Sequence, residues 1–594
     1  MATHRSLERG WSRFLTVLLC CSGAGVVSTA CGFSGTTDPA ATGGTGNTGT
    51  GATSSTAGTS PGSSGTGVVA GSGTGQGGGA TTGGVNGTAG SGVSAGGGGS
   101  GPVNPKDAPN YELSGTWPTA PIALKTMPGQ LKYTRQVIHT QFLAESCSIA
   151  DYNGDGDPDV SAGRIWYQGP DFKTQHPFRD GHGVLPSAGN GPEINTGVSD
   201  DWSDFPLDVN HDGATDIINI AQCDVPETND PNAAQNPGTP NKIGTVQPHA
   251  TAYWYENPGN DKQAGDPKWV AHLMNQDVRL EQHGLIDMNN DGFPEIYGAC
   301  KNCMPPTTKG YYQGDPANPA AQWVFHSVTT AFTFPFGGLG WMHGEGGGDV
   351  NGDGLPDLLE RSGAWLQQPG GTWNSTPCTG KNVPAGCGYI KQNFYDGLQD
   401  DAGNKGASHM YAIDMDMDGI PDVVAADWAH GEGLFWYKQS ADGKFTKYQF
   451  MGGHAEADRM KWGAGFSEPH ALQVVDMDGD GRPDIVTGKM RFAHPHGYGD
   501  PDGDGIPYLY VFKNVAAMDT KTGSPITLQP ILVDPATDPF PPGSAGTAPQ
   551  LGAVATPDTG MGVGRQLAVG HINKDGIVDI CVSTKVGLAV FIGQ

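Results

Sequence analysis

From residue 131 to the end of the chain, short apolar runs rich in Val, Ile and aromatic residues alternate with acidic, glycine-containing breaks. Runs this short, bounded by turn residues and lacking a helical period, predict β-strands. The order within each unit is constant. An apolar strand enters an acidic loop, a β-branched strand leaves it, an aromatic strand follows, and a fourth strand closes the unit. The aromatic strand is plainest, reading RIWYQ (Arg164 to Gln168), AYWYENPG (Ala252 to Gly259), GYYQ (Gly310 to Gln313), GAWLQ (Gly363 to Gln367), LFWYK (Leu434 to Lys438), YLYVFKN (Tyr508 to Asn514) and GLAVFIG (Gly587 to Gly593). Fourth strands are expected at Trp269 to Leu273, Trp323 to Ser327, Phe445 to Phe450 and, less clearly, Ile526 to Val533.

Four strands repeated seven times predict an all-β fold, a seven-bladed β-propeller. The seventh unit ends at Gln594, one strand short. Leu131 to Ile138 has fourth-strand character and no unit of its own, so it is expected to close the ring and remove an exposed sheet edge.

The acidic loops share one grammar, with oxygen-bearing side chains at positions one, three, five and nine and a glycine at the sharp bend. Ca²⁺ takes six to eight oxygen ligands, and alternate carboxylates about a tight turn converge on one point. The ligand sets are Asp151, Asn153, Asp155 and Asp159; Asp208, Asn210, Asp212 and Asp216; Asp287, Asn289, Asp291 and Glu295; Asp349, Asn351, Asp353 and Asp357; Asp414, Asp416, Asp418 and Asp422; and Asp476, Asp478, Asp480 and Asp484. The exit is a strand rather than a helix, which excludes an EF-hand. A seventh loop starts at His571, and an imidazole is a poor ligand for a hard cation. About six structural calcium sites are therefore expected, with the seventh weak. The string Asp500 to Gly505 resembles the motif but has Tyr508 at position nine.

These repeats, with their aromatic third strands, resemble the FG-GAP and VCBS repeat families, the integrin-α-type propellers, over residues 130 to 594. That resemblance implies a calcium-binding propeller. The segment EPHALQVVDMDGDGRPDIVTGKMRFAH together with WYENPG is similar to the propeller domain of the aldos-2-ulose dehydratase family. This narrower likeness implies elimination chemistry on a sugar, although the cupin domains of that family have no counterpart in this sequence.

Residues 1–30 read as an export signal: Arg5, Arg9 and Arg13 precede an apolar stretch from Phe14 to Val27, ending at Ser28-Thr29-Ala30. Cys31 follows and fits lipidation, the alternative being an ordinary cut after Ala30. From Cys31 to residue 105 the chain is mostly Gly, Ser, Thr and Ala and cannot bury a core. Such a coil spans on the order of 50 Å, which suits a tether. Residues 106–594 then form the propeller of an exported lipoprotein, anchored by lipid alone in the cell envelope or on the cell surface and expected to be monomeric.

The net charge of −28 suggests basic partners less strongly than it first does, since 22 of the 61 acidic residues stand at loop ligand positions. It argues against nucleic acid, which needs a basic face. Cys378 and Cys387 flank a short Gly/Pro-rich loop and suit a disulfide. Cys300 and Cys303 form a CxxC without a thioredoxin-like setting, better read as a local disulfide or free thiols.

In a four-stranded unit the acidic loop shares a face with the turn after strand three. The opposite face collects histidines. His283, His343, His409 and His470 each precede a first strand, with Glu281, Glu345 and Glu468 beside three of them. Loops between second and third strands add His430 and Glu432, and Lys489, Arg491, His494 and His496, while Asp458, Arg459, Lys461 and Trp462 lie in an entry loop. Histidine titrates near neutrality and serves as acid, base or metal ligand. The bland alternative is a structural hydrogen bond across the channel.

Three readings follow. The first is a module that binds a glycan or protein, with Trp341, Trp428 and Trp462 as stacking platforms. The second is a sugar lyase or dehydratase in which His343 or His409 removes a proton and Lys489 or Arg491 stabilises the enolate. The third is a structural scaffold. Binding ranks first; hydrolase triads, phosphate-binding loops and zinc-protease helices are absent.

Overall fold

The computed structural model describes residues 131–179, 184–185, 198–199, 201–221, 251–259, 262–275, 278, 283–300, 308–328, 343, 345–360, 363–369, 388–394, 407–426, 428–491, 493, 500–503, 505–534 and 560–594. The signal, Cys31, the tether, Glu281, Cys303, Trp341, Cys378, Cys387, His494 and His496 lie outside them, as does the side chain of Cys300. Cys147 and Cys581 are buried.

The sheets are antiparallel meanders in a β-propeller-like arrangement, and among the described residues helix is confined to one short segment. Four-stranded sheets run through 148–177, 203–275, 284–327 and 472–532. The meanders 345–393 and 410–451 join edge to edge through a parallel pairing of Gly346 with Met410 into an eight-stranded sheet. The remaining sheet combines 567–593 with Tyr133–His139, which pairs antiparallel to the last strand from Tyr133 opposite Gly593. Residues 184–185 and 198–199 form a two-stranded ribbon.

The apolar clusters lie between neighbouring units. Ile149, Val160 and Tyr167 of the first unit pack with Leu588 and Val590 of the seventh, and Tyr152 and Trp166 with Tyr253 and Trp269 of the second. Trp254 and Ile218 meet Tyr312 and Trp323 of the third, whose Tyr297 and Tyr311 meet Leu358 and Trp365 of the fourth. Fourth and fifth join through Leu359 and Val423, fifth and sixth through Trp436 and Tyr510, sixth and seventh through Val511 and Phe591. Each sheet is thus apolar on both faces, which explains why its strands read as continuous apolar runs. The added strand is tied across as well, Arg135 bonding both carboxylate oxygens of Asp534 at 3.2 and 3.3 Å. Deleting residues 106–139 is expected to abolish a single cooperative melting transition; an unchanged melt would show that the pairing of Tyr133–His139 with the last strand does not hold the fold together.

Polar clips cross between units beside the acidic loops. Asn257 donates its amide to Tyr152 O of the preceding loop at 2.8 Å and to Thr215 O at 2.9 Å. Gln439 bonds Val350 O, and Asn514 bonds Met415 O, each at 2.7 Å. These carbonyls belong to the second position of the neighbouring loop, so each clip fastens one loop to the next unit. Asn257→Leu removes this donor from both carbonyls, Gln263 Nε2 staying 3.3 Å from Tyr152 O, and is expected to cost about 1–2 kcal/mol in denaturant unfolding; a loss within error of zero would deny the clip its role.

One expectation is corrected. The entry loop containing Asp458 and Trp462 is a helix, Glu456–Trp462, capped at its C-terminus by left-handed Gly463. Its residues Glu456, Ala457, Arg459, Met460 and Lys461 are good helix formers, but about two turns carry too little period to be recognised.

Candidate functional site

The acidic loops are built alike. In the first, Asp151 accepts the N–H groups of Gly154 and Gly156 at 2.6 and 2.8 Å. Asp159 accepts Tyr152 N at 2.9 Å and Gly169 N, on the aromatic-strand side, at 2.8 Å. The bend glycines, Gly156, Gly213, Gly292, Gly354, Gly419 and Gly481, all have φ between 86 and 90°, a conformation costly for any residue with a Cβ. The ninth-position carboxylates are buried, and burial beside other loop carboxylates pushes Asp159 and Asp422 up to about 8 and Glu295 to about 9. Ligand oxygens of Asp414, Asp416 and Asp422, and of Asp476, Asp478 and Asp484, lie within 4.8 Å of one another. Convergent buried carboxylates of one sign fit a hard divalent cation, whose charge removes the repulsion. In the seventh loop the Nδ1 of His571 lies 3.1 Å from Ile577 O, so that nitrogen is already engaged.

At the opposite ends of the strands, two first-strand entries and one second-to-third-strand loop bring three histidines together. His343, His430 and His470 are buried, with ligand nitrogens within 4.8 Å of one another. The Nε2 atoms of His343 and His430 are 2.6 Å apart, and all three rings meet edge to face. Three imidazoles in this arrangement suit zinc or a similar transition-metal ion, which takes nitrogen readily, rather than calcium. His430 stands on a tight turn whose Gly431 lies so close to Trp428 that a Cβ would fall 2.4 Å from the indole. Asp500 approaches the far ring nitrogen, Nδ1, of His430 at 3.7 Å.

Glu468 frames the cluster from behind. It is a non-glycine residue held at φ 57°, a strained conformation that clusters at functional sites. Its backbone N–H donates to Gly431 O, and its carbonyl accepts from His470 N and Met490 N, so one residue ties three segments. Its buried side chain accepts Ala493 N at 3.3 Å and lies 3.9 Å from Lys489 Nζ. Burial raises its carboxyl to about 7. Lys489 is itself buried and donates to Ser467 Oγ at 2.8 Å. Farther out, Glu432 and His454 pair at the exposed rim; the bond from His454 lowers the Glu432 pKa, and Glu432 raises that of His454.

Of the four equivalent histidines, His343 and His470 fall in this cluster, while the other two have different partners: His409 Nε2 lies 3.0 Å from His283 O and its ring also bonds the His470 backbone, and His283 Nδ1 lies 3.0 Å from Ser203 Oγ. Burial lowers the His409 pKa to about 4. Glu345 pairs with Lys309 at 3.2 Å. Arg491 is buried. Trp462 is buried at the helix end with Lys461 over its ring.

Charged residues not singled out in the sequence complete the same face. Glu145 meets Arg565 at 3.4 Å and Lys585 at 3.7 Å, and Arg179 meets Asp201 at 3.6 Å, all buried. Glu145 and Arg565 stand as far ahead of Asp151 and His571 as His343 and His470 stand ahead of Asp349 and Asp476. Position relative to the loop was the signal that could have found them.

Residues 414–487, a minor part of the chain that includes the fifth and sixth loops, match the model of the FG-GAP-like repeat. No curated protein matches. Among solved structures, rhamnogalacturonan lyase YesW is 13% identical, with 79% of this chain and 73% of that chain covered and a TM-score of 0.29. Exotype rhamnogalacturonan lyase YesX is 13% identical over 79% and 74%, with a TM-score of 0.32. The rhamnogalacturonan lyase of Bacillus licheniformis is 12% identical over 82% and 76%, with a TM-score of 0.22. At these TM-scores the likeness carries no argument about activity, and the chain is described as a β-propeller-like protein carrying an FG-GAP-like repeat.

Proposed function

We propose that this protein is a seven-bladed, calcium-loaded propeller whose opposite face carries a metal-assisted carbon–oxygen lyase site for a sugar. The observation that carries this reading is the convergence of the His343, His430 and His470 nitrogens within 4.8 Å. Reading the eight-stranded sheet as two blades gives seven, and the unit-to-unit apolar clusters support a ring closed by Tyr133–His139. A divalent ion on the three histidines would polarise the carbonyl of a keto-sugar. In this reading Glu468 takes the proton from the carbon beside that carbonyl, and the Lys489 ammonium protonates the departing hydroxyl. A carbon–carbon double bond forms as a carbon–oxygen bond breaks and water leaves. The sugar class is supported by the EPHALQVVD resemblance alone.

The test is incubation of the zinc-loaded protein with a panel of keto-sugars, following the ultraviolet absorbance of the conjugated enone. Rising absorbance that needs the metal supports the lyase. Saturable sugar binding without turnover would move the assignment to a glycan-binding module, a reading favoured by the tether. Export and lipidation of Cys31 belong to the same proposal, and radiolabelled palmitate incorporation that persists in Cys31→Ser would remove the anchor from it.

A further inference from the structure

In the first, fifth and sixth units the residue preceding the N–H that caps the ninth-position carboxylate reaches its own loop. In the first unit this is Gln168, whose amide donates to Asp155 Oδ2 at 3.0 Å. By the same register it is Glu256, Gln313 and Leu366 in the next three units and Lys438 and Lys513 in the fifth and sixth. The lysines occur only in the two loops with Asp rather than Asn at position three. Lys438 Nζ pairs with Asp416 and lies 2.6 Å from Asp418 Oδ2. Lys513 Nζ pairs with Asp478 and lies 3.9 Å from Asp480 Oδ2. In each loop the ammonium engages Oδ2 of the third-position aspartate. Oδ1 of Asp416 is buried with no hydrogen-bond partner among the described residues, and a carboxylate oxygen of this residue falls within the Asp414–Asp416–Asp422 group.

We propose that Lys438 and Lys513 are built-in counter-charges that set the metal affinity of the fifth and sixth loops. This rests on reading the loops as calcium sites. The first four loops offer three carboxylates each; the fifth and sixth offer four carboxylates and one ammonium. Because Glu256 is turned to His272 at 2.8 Å rather than to its loop, all six cages present the same net charge to the ion over these positions. The lysine cancels the added aspartate while holding it by one oxygen, leaving the other to face inward. Removing the lysine leaves a more negative cage that holds the ion tighter, and removing the aspartate alone leaves a less negative cage that holds it more weakly.

The experiment is calcium titration of the full protein against a chromophoric chelator, for wild type, K438Q/K513Q, D416N/D478N and the quadruple combination. The lysine variant is expected to bind two ions on the order of tenfold tighter, the aspartate variant two ions on the order of tenfold more weakly, and the combination to return near wild type. The charge-conserving variant K438R/K513R is expected to bind as wild type, which separates charge from packing. Calcium bound by wild type with no tightening in K438Q/K513Q overturns the counter-charge role while leaving the loop reading intact. A wild-type chain that binds no calcium overturns both, and the two failures are distinguished in the first titration.

Discussion

Stripping calcium with a chelator at pH 8 is expected to lower the melting temperature by more than about 10 °C, the largest stability effect anticipated for this protein. An ion held at a concentration of a hundred times its Kd stabilises by about 2.7 kcal/mol per site, and several sites act together. The size of the drop depends on pH, with a definite sign. Burial raises the carboxyls of Asp159, Asp422 and Glu295 to about 8, 8 and 9 in the ion-free fold, and Asp579 to about 7. An unfolded carboxylate titrates near 4. Between those limits the ion-free fold retains protons that the unfolded chain releases, so this contribution to stability is complete below about pH 4 and is lost as pH rises through 7 to 9. The ion-free protein should therefore melt higher at pH 5 than at pH 8, and the gain from added calcium should grow across that window. Differential scanning calorimetry at the two pH values decides it. A purified protein whose melting temperature is indifferent to the chelator would show that these carboxylates hold no cation, and an ion-free protein more stable at pH 8 than at pH 5 would show that their carboxyls are not raised by burial.

The largest effect on activity is expected from His343→Ala combined with His470→Ala. Two of the three buried imidazoles are then gone, and a lone His430 cannot retain the ion. Bound zinc should fall from one per chain to background, and enone formation should drop by at least about a hundredfold. Folding should survive, because the apolar clusters between sheets contain none of the three histidines. His283→Ala serves as the contrast: its ring bonds Ser203, so it should lower stability without emptying the metal site. Metal analysis, turnover and melting temperature are read on the same samples. Zinc and turnover retained in the double variant would leave the histidine cluster without a role.

Much of the architecture was legible because the repeat is local. Each loop carries its ligands within nine residues and each strand its own apolar run, so the positions of the fold appear as a periodic text. The aromatic strands emerged within three residues of their expected bounds, as Ile165–Tyr167 and Leu434–Gln439 illustrate. The histidines were legible only as members of one face. Their sequence position put His283, His343, His409 and His470 in one class, yet distances separate them into a metal-like group and a hydrogen-bonded pair. His430 joins the first from a different loop type.

The sequence alone determined the strand order, the acidic loops and the face on which the histidines gather, because each depends on residues close in the chain or on a fixed offset from the repeat. Tertiary structure alone decided which histidines meet, that Glu468 is locked at positive φ between Gly431 and Met490, and that Lys438 and Lys513 lie against aspartates of their own loops. Those outcomes depend on how sheets pack and on side chains brought together from separate segments, and no local period encodes a distance between residues that far apart in the chain.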